Sequence, residues 1–424
     1  MNRRNFIRNA AALSALTVLK PNTVFATNSN SAVRVGVIGC GNRANGIISA
    51  MAEKSNIAIT AMADLFPDRL KGFAEFANDV NRQKGHPSIN QNSMYVGHDA
   101  YLRLLQNRDI DAVVIAAPGY ARPQMIKDAV EAEKHIYAEK PMAVDAMGCQ
   151  EIVRVAKNIK GRVSVFNGFQ IRYATPYVEM AKRIKRGDIG EVVTVQLYYF
   201  SSGSAIIPCD GASYDEMRIR NHYYFHEISG GCYLDQAIHM IDTCNWILDS
   251  KPLFAFGTGN RKGTPGLGNA WTNYQVIYAY PNDINVSVHS SKFGDTFGGV
   301  CARFIGTDGV AEAHYSGGVF INGKNVWDSG ILRSTSELTP ESIAQGAKTS
   351  SLYDADINKM EAFINSIVNG QYENQLEWGC DSTLSAIMGR EAASTREKVT
   401  WDELVYTPQR IDPNLDMKQF TNNK

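Results

Sequence analysis

Apolar residues in the first half of the chain form short continuous runs, with helical stretches between them. The runs are "VRVGVI" (33–38), "IAITAMA" (57–63), "DAVVIAAP" (111–118) and "HIYAEKP" (135–141). Helical patterns follow the first run at residues 45–54 and the third at 124–133. Strands that are apolar throughout are buried on both faces, and alternation with helices is typical of a parallel sheet. The pattern therefore predicts an α/β domain built on a doubly wound parallel sheet.

The second half alternates between apolar and polar positions. Its candidate strands are "EVVTVQLYYF" (191–200), "TNYQVIYAY" (272–280), "INVSVHSS" (284–291) and "VCARFIG" (300–306). Turns are expected at 306–309 and at Asn322-Gly323, a strong hairpin signal. These features predict an α+β domain with a large, mainly antiparallel open sheet. Helices are expected at 232–248, 356–369 and 381–395, and a long loop at 201–231.

The N-terminus has the pattern of a targeting segment. Residues 1–26 carry a basic start, an apolar run at 10–19 and a small-residue exit. The run is shorter than the ~20 residues that span a bilayer, which favours a cleaved export signal over a membrane anchor. Arg3-Arg4 resembles a twin-arginine signal, and an ordinary secretory signal is the alternative. We therefore expect a periplasmic or otherwise exported protein without stable membrane insertion.

Charge and cysteine content limit the classes of ligand and metal site that this chain can be expected to have. The chain has 43 basic and 43 acidic side chains and no basic cluster, which argues against nucleic acid and favours a small molecule. Its seven cysteines include no C-x-x-C pair, so neither a disulfide framework nor a zinc cage is expected. His222 and His226 have the spacing of a helical metal site, but Tyr-Tyr-Phe lies between them without a helix signal. We predict no metal.

The stretch "GVIGCGNRANG" (36–46) has the spacing of a dinucleotide-binding turn. Gly39 would allow the tight turn, Gly41 would let the backbone approach a pyrophosphate at a helix N-terminus, and Ala44 takes the third position. Asp64 closes the second strand, where its carboxylate would accept hydrogen bonds from a ribose and repel a 2′-phosphate. The motif predicts a nucleotide cofactor, with NAD favoured over NADP.

A polar stripe crosses the apolar helix predicted at 232–248. Asp235, His239 and Asp242 occupy positions i, i+4 and i+7. Histidine titrates near neutral pH, and a carboxylate one turn away can orient it as a general base. The alternative is a helix-surface pair worth ~0.2–0.5 kcal/mol. For Asp242, orienting His239, binding substrate and a structural role all remain open.

"AEKPMAVD" (138–145) after the fifth strand, together with D-x-x-x-H at 235–239, resembles the Gfo/Idh/MocA superfamily, named for glucose–fructose oxidoreductase, inositol dehydrogenase and a rhizopine-catabolism protein. "GFQIRYATPY" (168–177) and "VTWDEL" (399–404) extend the resemblance. It implies an NAD-dependent oxidoreductase acting on a ring hydroxyl or ketone of a sugar, glycoside or cyclitol. Export further favours a tightly bound cofactor, because free NAD is scarce outside the cytosol.

The resemblance also implies a domain organisation. An NAD-binding Rossmann domain is expected at 32–165, a substrate and oligomerisation domain at 166–405, and a tail at 406–424. The resemblance also allows helix 381–395 to pack against the Rossmann domain. A homodimer or homotetramer would form through the open sheet.

Individual residues follow from the same resemblance. It implies Lys140, Asp235 and His239 as the catalytic set. The expected cofactor contacts are Gly39, Gly41, Asn42, Arg43, Ala44, Asp64, Pro118, Arg122, Glu139 and Lys140. Arg122 stands where the family commonly has histidine. The expected substrate contacts are Gln170, Arg172, Tyr173, Arg220, Tyr223 and His239, since aromatic faces interleaved with donors suit a polyol.

Two other functional classes are alternatives. A glycosidase that uses NAD transiently would eliminate an aglycone after oxidation of a neighbouring carbon. That branch carries Tyr-Pro-Thr-His at the histidine, whereas this chain has Gln-Ala-Ile-His at 236–239, so it ranks second. A binding protein without activity ranks third, because Lys140, Asp235 and His239 are all present.

Overall fold

The computed structural model describes residues 32–294, 298–339, 342 and 346–421, and these residues build two sheets. The predicted export signal lies outside the described residues. No helix within the described ranges is long and apolar enough to cross a membrane.

The first sheet has six parallel strands in the order β3-β2-β1-β4-β5-β6. The strands are β1 (Val33–Ile38), β2 (Ile57–Asp64), β3 (Met94–Val96), β4 (Ala112–Ile115), β5 (His135–Ala138) and β6 (Val165–Asn167). The connecting helices are α1 (Asn42–Lys54), α2 (Pro67–Gln83), α3 (Ala100–Leu105), α4 (Arg122–Glu131) and α5 (Ala146–Ile159). The predicted doubly wound sheet is confirmed. Its strand order reverses between β1 and β4, and ligands of such sheets bind beyond the carboxyl ends of the strands at this point.

The second sheet has nine strands in the order β14-β13-β12-β11-β7-β10-β9-β8-β15. They are β7 (Val192–Ser201), β8 (Phe254–Asn260), β9 (Asn273–Ala279), β10 (Asn285–Lys292), β11 (Gly299–Gly306), β12 (Gly309–His314), β13 (Val319–Gly323), β14 (Trp327–Asp328) and β15 (Val399–Thr400). Only the β7–β10 pair is parallel among these strands, so the mainly antiparallel prediction is confirmed.

The predicted two-residue turn at Asn322-Gly323 is wrong. Both residues belong to β13 and pair with β12. The following strand, β14, begins at Trp327, which pairs with Ile321. A longer turn therefore joins β13 to β14.

Helices cover the core face of this sheet and the side facing the first domain. They are α6 (Thr175–Lys185), α7 (Tyr214–Arg220), α8 (His226–Ser229), a π-helical turn (Tyr233–Ala237), α9 (Ile238–Leu248), α10 (Ala355–Val368), α11 (Leu376–Thr395) and α12 (Trp401–Tyr406). The long loop predicted at 201–231 is therefore partly wrong, because it contains α7 and α8. The Ser213 side chain caps α7 by accepting from the Glu216 N–H at 3.2 Å, a start signal that the pattern of apolar residues does not show.

Helix α11 holds the two domains together. The Met142 N–H donates to Thr383 Oγ1 at 3.1 Å, and Arg390 Nη1 donates to the Val144 carbonyl at 2.9 Å. One hydrophobic core runs continuously from the first sheet through α11 to the second sheet. The crevice between the domains therefore has two walls with fixed relative positions.

Candidate active site

The glycine turn after β1 forms the floor of this crevice. Gly39 has φ +88°, and a Cβ there would lie 2.8 Å from the Ala117 nitrogen, so only glycine fits. Gly41 caps α1, and a Cβ there would meet no atom within 4 Å. The backbone at Gly41 thus faces open space at the start of a 13-residue helix, as an anionic pyrophosphate requires.

Asp64 stands beside this turn at the end of β2. Its Oδ2 accepts the Cys40 N–H at 2.6 Å and its Oδ1 accepts the Phe66 N–H at 2.9 Å. Burial raises the pKa of Asp64, and these two hydrogen bonds partly offset the effect. Each carboxylate oxygen keeps a lone pair for a ribose hydroxyl. The turn and Asp64 together fit NAD.

The crevice encloses a cavity of about 750 Å³. All ten residues expected to contact the cofactor line it, together with Asp235, His239, Gln170, Arg220 and Tyr223. Arg172 and Tyr173 are the two predicted site residues that are not among its lining residues.

Lys140 and Asp235 line one side of the cavity, and Lys292 joins them in a charged cluster by pairing with Asp235. Lys140 Nζ lies 3.5 Å from Asp235 Oδ1 and also donates to the Asp235 carbonyl, while Lys292 Nζ lies 2.9 Å from Oδ2. Burial raises the pKa of Asp235, but the two ammonium groups outweigh it and hold the pKa well below its usual range. Burial lowers the pKa of Lys140, and Asp235 partly restores it. Asp235 is therefore a carboxylate with a lysine at each oxygen.

The π-helical turn sets the position of this carboxylate. Gln236, next to Asp235, donates from Nε2 to the Ser291 carbonyl at 2.9 Å and accepts the Ser201 hydroxyl at 2.7 Å. These contacts attach the turn to β10 and β7. Because Lys292 follows Ser291 at the end of β10, its ammonium reaches Asp235 directly.

His239 lies in the first turn of α9, which follows the π-helical turn, and is 6% exposed. Its imidazole is surrounded by the rings of Phe169, Tyr199 and Tyr315, with centroids 6.2 to 6.5 Å away. Burial, reinforced by the Lys140 charge, holds the pKa of His239 well below its ordinary value. The ring is therefore neutral at neutral pH and can accept a proton.

The predicted role of Asp235 in orienting His239 is not supported. Both Asp235 oxygens contact lysines, and His239 Nδ1 is buried with no hydrogen-bond partner in the described part of the chain. Asp235 lies in the π-helical turn, whereas His239 lies in the regular helix α9 that follows it. Asp235 instead orients Lys140.

Arg172 and Tyr173 are also placed differently from the prediction. Arg172 forms an ion pair with the buried Asp242 at 2.8 Å, and its guanidinium lies 3.8 Å from the Trp378 ring centroid. The Tyr173 hydroxyl accepts a hydrogen bond from Gln375 Nε2 at 2.6 Å. Both side chains are thus used in packing outside the crevice, and Asp242 has the structural role.

Arg220 lines the crevice, but its guanidinium is already paired. It forms two hydrogen bonds with Asp68, at 2.7 and 2.9 Å, and one with Glu216 at 2.8 Å, and it lies 4.0 Å from the Phe66 ring centroid. Because Asp68 belongs to α2 and Glu216 to α7, Arg220 connects the domains beside Asp64. We assign it to closing the crevice rather than to binding substrate.

Three other predicted residues present polar atoms or a ring face to the crevice. Gln170 Oε1 and Arg122 Nε are buried without partners among the described residues. Arg122 donates from Nη1 to the Pro141 carbonyl at 2.6 Å, and burial lowers its pKa to about 10. The Tyr223 ring lies 4.5 Å below the Lys292 ammonium. Buried polar atoms at a cavity are completed either by a bound ligand or by ordered water.

Glu139 is fixed at the crevice floor. It accepts hydrogen bonds from Arg43 Nε and the Tyr137 hydroxyl, both at 2.8 Å, and from the Lys140 N–H at 3.1 Å. Burial raises the pKa of Glu139, but the charges of Arg43, Lys359 and other cations outweigh it and keep the carboxylate ionised. Glu139 therefore sets the backbone from which Lys140 projects.

The C-terminal tail crosses the crevice mouth, which the sequence did not indicate. The Ile411 N–H donates to Asp145 Oδ2 at 2.9 Å at the start of α5, and Arg218 Nη2 in α7 donates to the Pro413 carbonyl at 2.7 Å. The tail therefore contacts both domains before it reaches the opening.

A short 3₁₀ turn ends this tail over the cofactor end. Met417 lines the cavity and accepts the Tyr120 hydroxyl at 3.8 Å. The Phe420 ring packs edge-on against Phe66 at 5.8 Å, and its carbonyl accepts the His98 N–H at 3.2 Å. We call residues 411–420 the tail strap.

Comparison with known proteins agrees with this architecture. A family model of the oxidoreductase family's NAD-binding Rossmann fold matches residues 33–167, and a model of the GFO/IDH/MocA C-terminal domain matches residues 177–312. The predicted NAD-binding Rossmann domain is thereby confirmed.

Individual relatives are distant. The chain is 28% identical over 221 residues to an inositol 2-dehydrogenase/D-chiro-inositol 3-dehydrogenase of Shouchella clausii, an alignment covering 52% of this chain and 54% of the relative. The chain spans about half the length of the curated relatives that it matches in this way.

Two solved structures show the same fold. The scyllo-inositol dehydrogenase of Lactobacillus casei with bound NAD(H) and scyllo-inositol superposes with a TM-score of 0.64 at 20% identity, over 87% of this chain and 99% of that one. The aldose-aldose oxidoreductase of Caulobacter crescentus complexed with glycerol gives 0.65 at 17% identity, over 87% and 100%. From both family models and this shared fold, the chain belongs to the Gfo/Idh/MocA family of oxidoreductases.

Proposed function

We propose that this protein is an NAD-dependent oxidoreductase that interconverts a ring hydroxyl and a ketone on a sugar, glycoside or cyclitol. The observation that carries the proposal is that Lys140, Asp235 and the neutral His239 line the same cavity as the glycine turn, with Lys292 paired to Asp235. The names of the relatives, inositol dehydrogenases and an aldose oxidoreductase, support this substrate class.

Residues of the glycine turn, Asp64 and the floor around Glu139 would hold the dinucleotide. Bound there, the dinucleotide would supply hydride-transfer chemistry. His239 accepts the hydroxyl proton during oxidation, because its buried imidazole is neutral at neutral pH. Lys140 donates a hydrogen bond to the same oxygen and stabilises its developing negative charge.

Asp235 and Lys292 act through Lys140. The carboxylate holds the Lys140 ammonium in place and keeps it protonated despite burial. Lys292 shares the negative charge of Asp235, so the Lys140 ammonium keeps part of its positive charge for the substrate oxygen. The rings around His239 exclude water from the proton transfer.

A polyol fits the remaining polar groups. Gln170 Oε1 can accept a hydroxyl hydrogen, and the Tyr223 ring offers a face for sugar C–H groups.

The tail strap supports tight retention of NAD, since Met417 and Phe420 close the opening beside Asp64. Tight retention would suit the exported location that the N-terminal pattern predicts. Phe256 and Ile277, paired across β8 and β9, are 48% and 57% exposed on the open face, which supports a homo-oligomer formed through this sheet.

The test begins with cofactor extraction from the purified protein. Denaturation should release NAD, and addition of glycosides or cyclitols to the intact protein should reduce the bound pool. His239→Asn and Lys140→Met should bind NAD but lose reduction, while the exposed Lys324→Gln control retains it. An absorbance that no polyol or keto-sugar changes would refute the proposal. Release of nitrophenol from a nitrophenyl glycoside would favour the NAD-dependent glycosidase instead.

A further inference from the structure

A second group of reactive side chains lies on the open face of the second sheet, away from the crevice. Cys301 of β11 and His314 of β12 are direct partners in the antiparallel ladder. Glu312 precedes His314 by two residues and therefore points to the same face. Their neighbours Ala302 and Ala313 point to the core face and are fully buried.

The three ligand atoms lie close together. Cys301 Sγ is 3.7 Å from His314 Nε2, and His314 Nε2 is 3.1 Å from Glu312 Oε2. All three atoms fall within 4.8 Å of one another. In a tetrahedral zinc site, bond lengths of ~2.3 Å to sulfur and ~2.0–2.2 Å to nitrogen and oxygen give edges of ~3.6 Å for S···N and ~3.4 Å for N···O. The observed S···N distance is close to its edge, and the observed N···O distance is slightly shorter than its edge.

We infer that Cys301, Glu312 and His314 form a Zn²⁺ site on the open face, with water as the fourth ligand. A thiolate, a carboxylate and a neutral imidazole are all ligands that zinc accepts, and Arg303 also pairs with the carboxylate. A thiolate and an imidazole select zinc over magnesium or calcium, which prefer oxygen ligands. The ion would join β11 to β12 from the side opposite the core.

The surroundings resemble an outer shell that fixes the ligands. Arg303 donates to both Glu312 oxygens, at 3.0 and 3.2 Å, and the Phe320 ring stacks beside His314 with centroids 6.2 Å apart. Such contacts orient the ligands of metal sites. Zinc binds the thiolate, so binding should displace the Cys301 thiol proton into solvent. Binding should therefore release about one proton per ion at neutral pH.

The experiment uses the full chain, stripped with a chelator and titrated with Zn²⁺ and Co²⁺. We expect one equivalent of zinc, release of a proton, and a cobalt spectrum with a thiolate charge-transfer band and the visible bands of a four-coordinate ion. Cys301→Ser and His314→Gln should each weaken binding by at least ~10-fold. Glu312→Gln should weaken it without changing the thiolate band.

Cys209→Ser and His226→Gln are the controls, since both residues lie outside this cluster. They should bind zinc as the parent protein does. Absence of stoichiometric binding, a cobalt spectrum without thiolate character, or equal loss in the control variants would overturn the inference. The cobalt spectrum of the unaltered chain decides the question even if a variant fails to fold. NAD content should not change with zinc, which separates this test from that of the proposed activity.

Discussion

Nζ of Lys140 lies 3.5 Å from Oδ1 of Asp235, and the two residues come from different domains. Lys140 follows β5 of the Rossmann domain, whereas Asp235 lies in the π-helical turn of the second domain. The site therefore exists only when the domains are docked, and α11 provides that docking.

Lys292→Gln should lower kcat/KM by ~10- to 100-fold. The substitution removes one of the two cations that hold Asp235 ionised, so the balance between Asp235 and Lys140 shifts. NAD content should stay unchanged, because Lys292 is not among the residues that line the cofactor turn. Steady-state kinetics measure the effect, and Lys324→Gln is the matched exposed control. Equal activity of the two variants would contradict the role of Lys292.

The pH profile of kcat/KM should extend unusually far into acid. Burial lowers the pKa of His239, so the base stays unprotonated until the pH falls well below ~6.5. Burial also lowers the pKa of Lys140, so the alkaline limb should appear below ~10.5. An acid limb near 6.5 would contradict this assignment.

The same histidine links stability to pH. Between its unfolded pKa of ~6.5 and its lower folded value, the unfolded chain binds a proton that the folded chain does not. Its contribution to the free energy of unfolding is therefore complete above ~6.5 and falls as the pH decreases below that value. His239→Asn should remove this component of the acid dependence in urea titrations.

The double variant Met417→Ala, Phe420→Ala should release NAD faster than the parent protein. Both side chains cover the opening beside Asp64, so their loss leaves the cofactor end uncovered. Dialysis followed by measurement of retained NAD reports the effect. Lys418→Ala, an exposed substitution in the same 3₁₀ turn, should retain the parent rate. Unchanged retention in the double variant would show that the tail strap does not hold the cofactor.

Asp242→Asn should destabilise the fold by ~3–5 kcal/mol, because it leaves the Arg172 guanidinium without its buried partner. Asp381→Asn breaks the exposed pair with Lys251 and should cost at most ~1 kcal/mol. Urea unfolding compares the two variants. KM should be unchanged in folded Asp242→Asn protein, and a large rise would return Arg172 to the substrate site.

The first sheet was predictable because parallel strands are buried on both faces and read as continuous apolar runs. The glycine turn was predictable for a similar reason, since the steric demand at Gly39 admits a single residue type. The second sheet was predictable in kind but not in order. Its central parallel pair, β7 with β10, joins segments far apart in the chain, and no local pattern specifies that pairing.

The residues that were missed depend on this long-range pairing. Lys292 ends an ordinary alternating strand and reaches Asp235 only because β10 lies beside the π-helical turn. Arg172 and Tyr173 were misplaced because they share one 3₁₀ turn with Gln170, in which neighbouring side chains point in different directions. The pattern of apolar residues does not distinguish a π-helical turn from an α-helix. The sequence therefore could not predict that Asp235 and His239 lie in different types of helix.

The π-helical turn makes the number of residues before His239 a determinant of the chemistry. Each residue of an α-helix advances the chain by ~100°. Removing one residue other than Asp235 from Tyr233–Ala237 is expected to restore a regular helix and to rotate the carboxylate away from both lysines. A related chain can thus lose the charged half of this site through a one-codon deletion, with every functional side chain still present in its sequence.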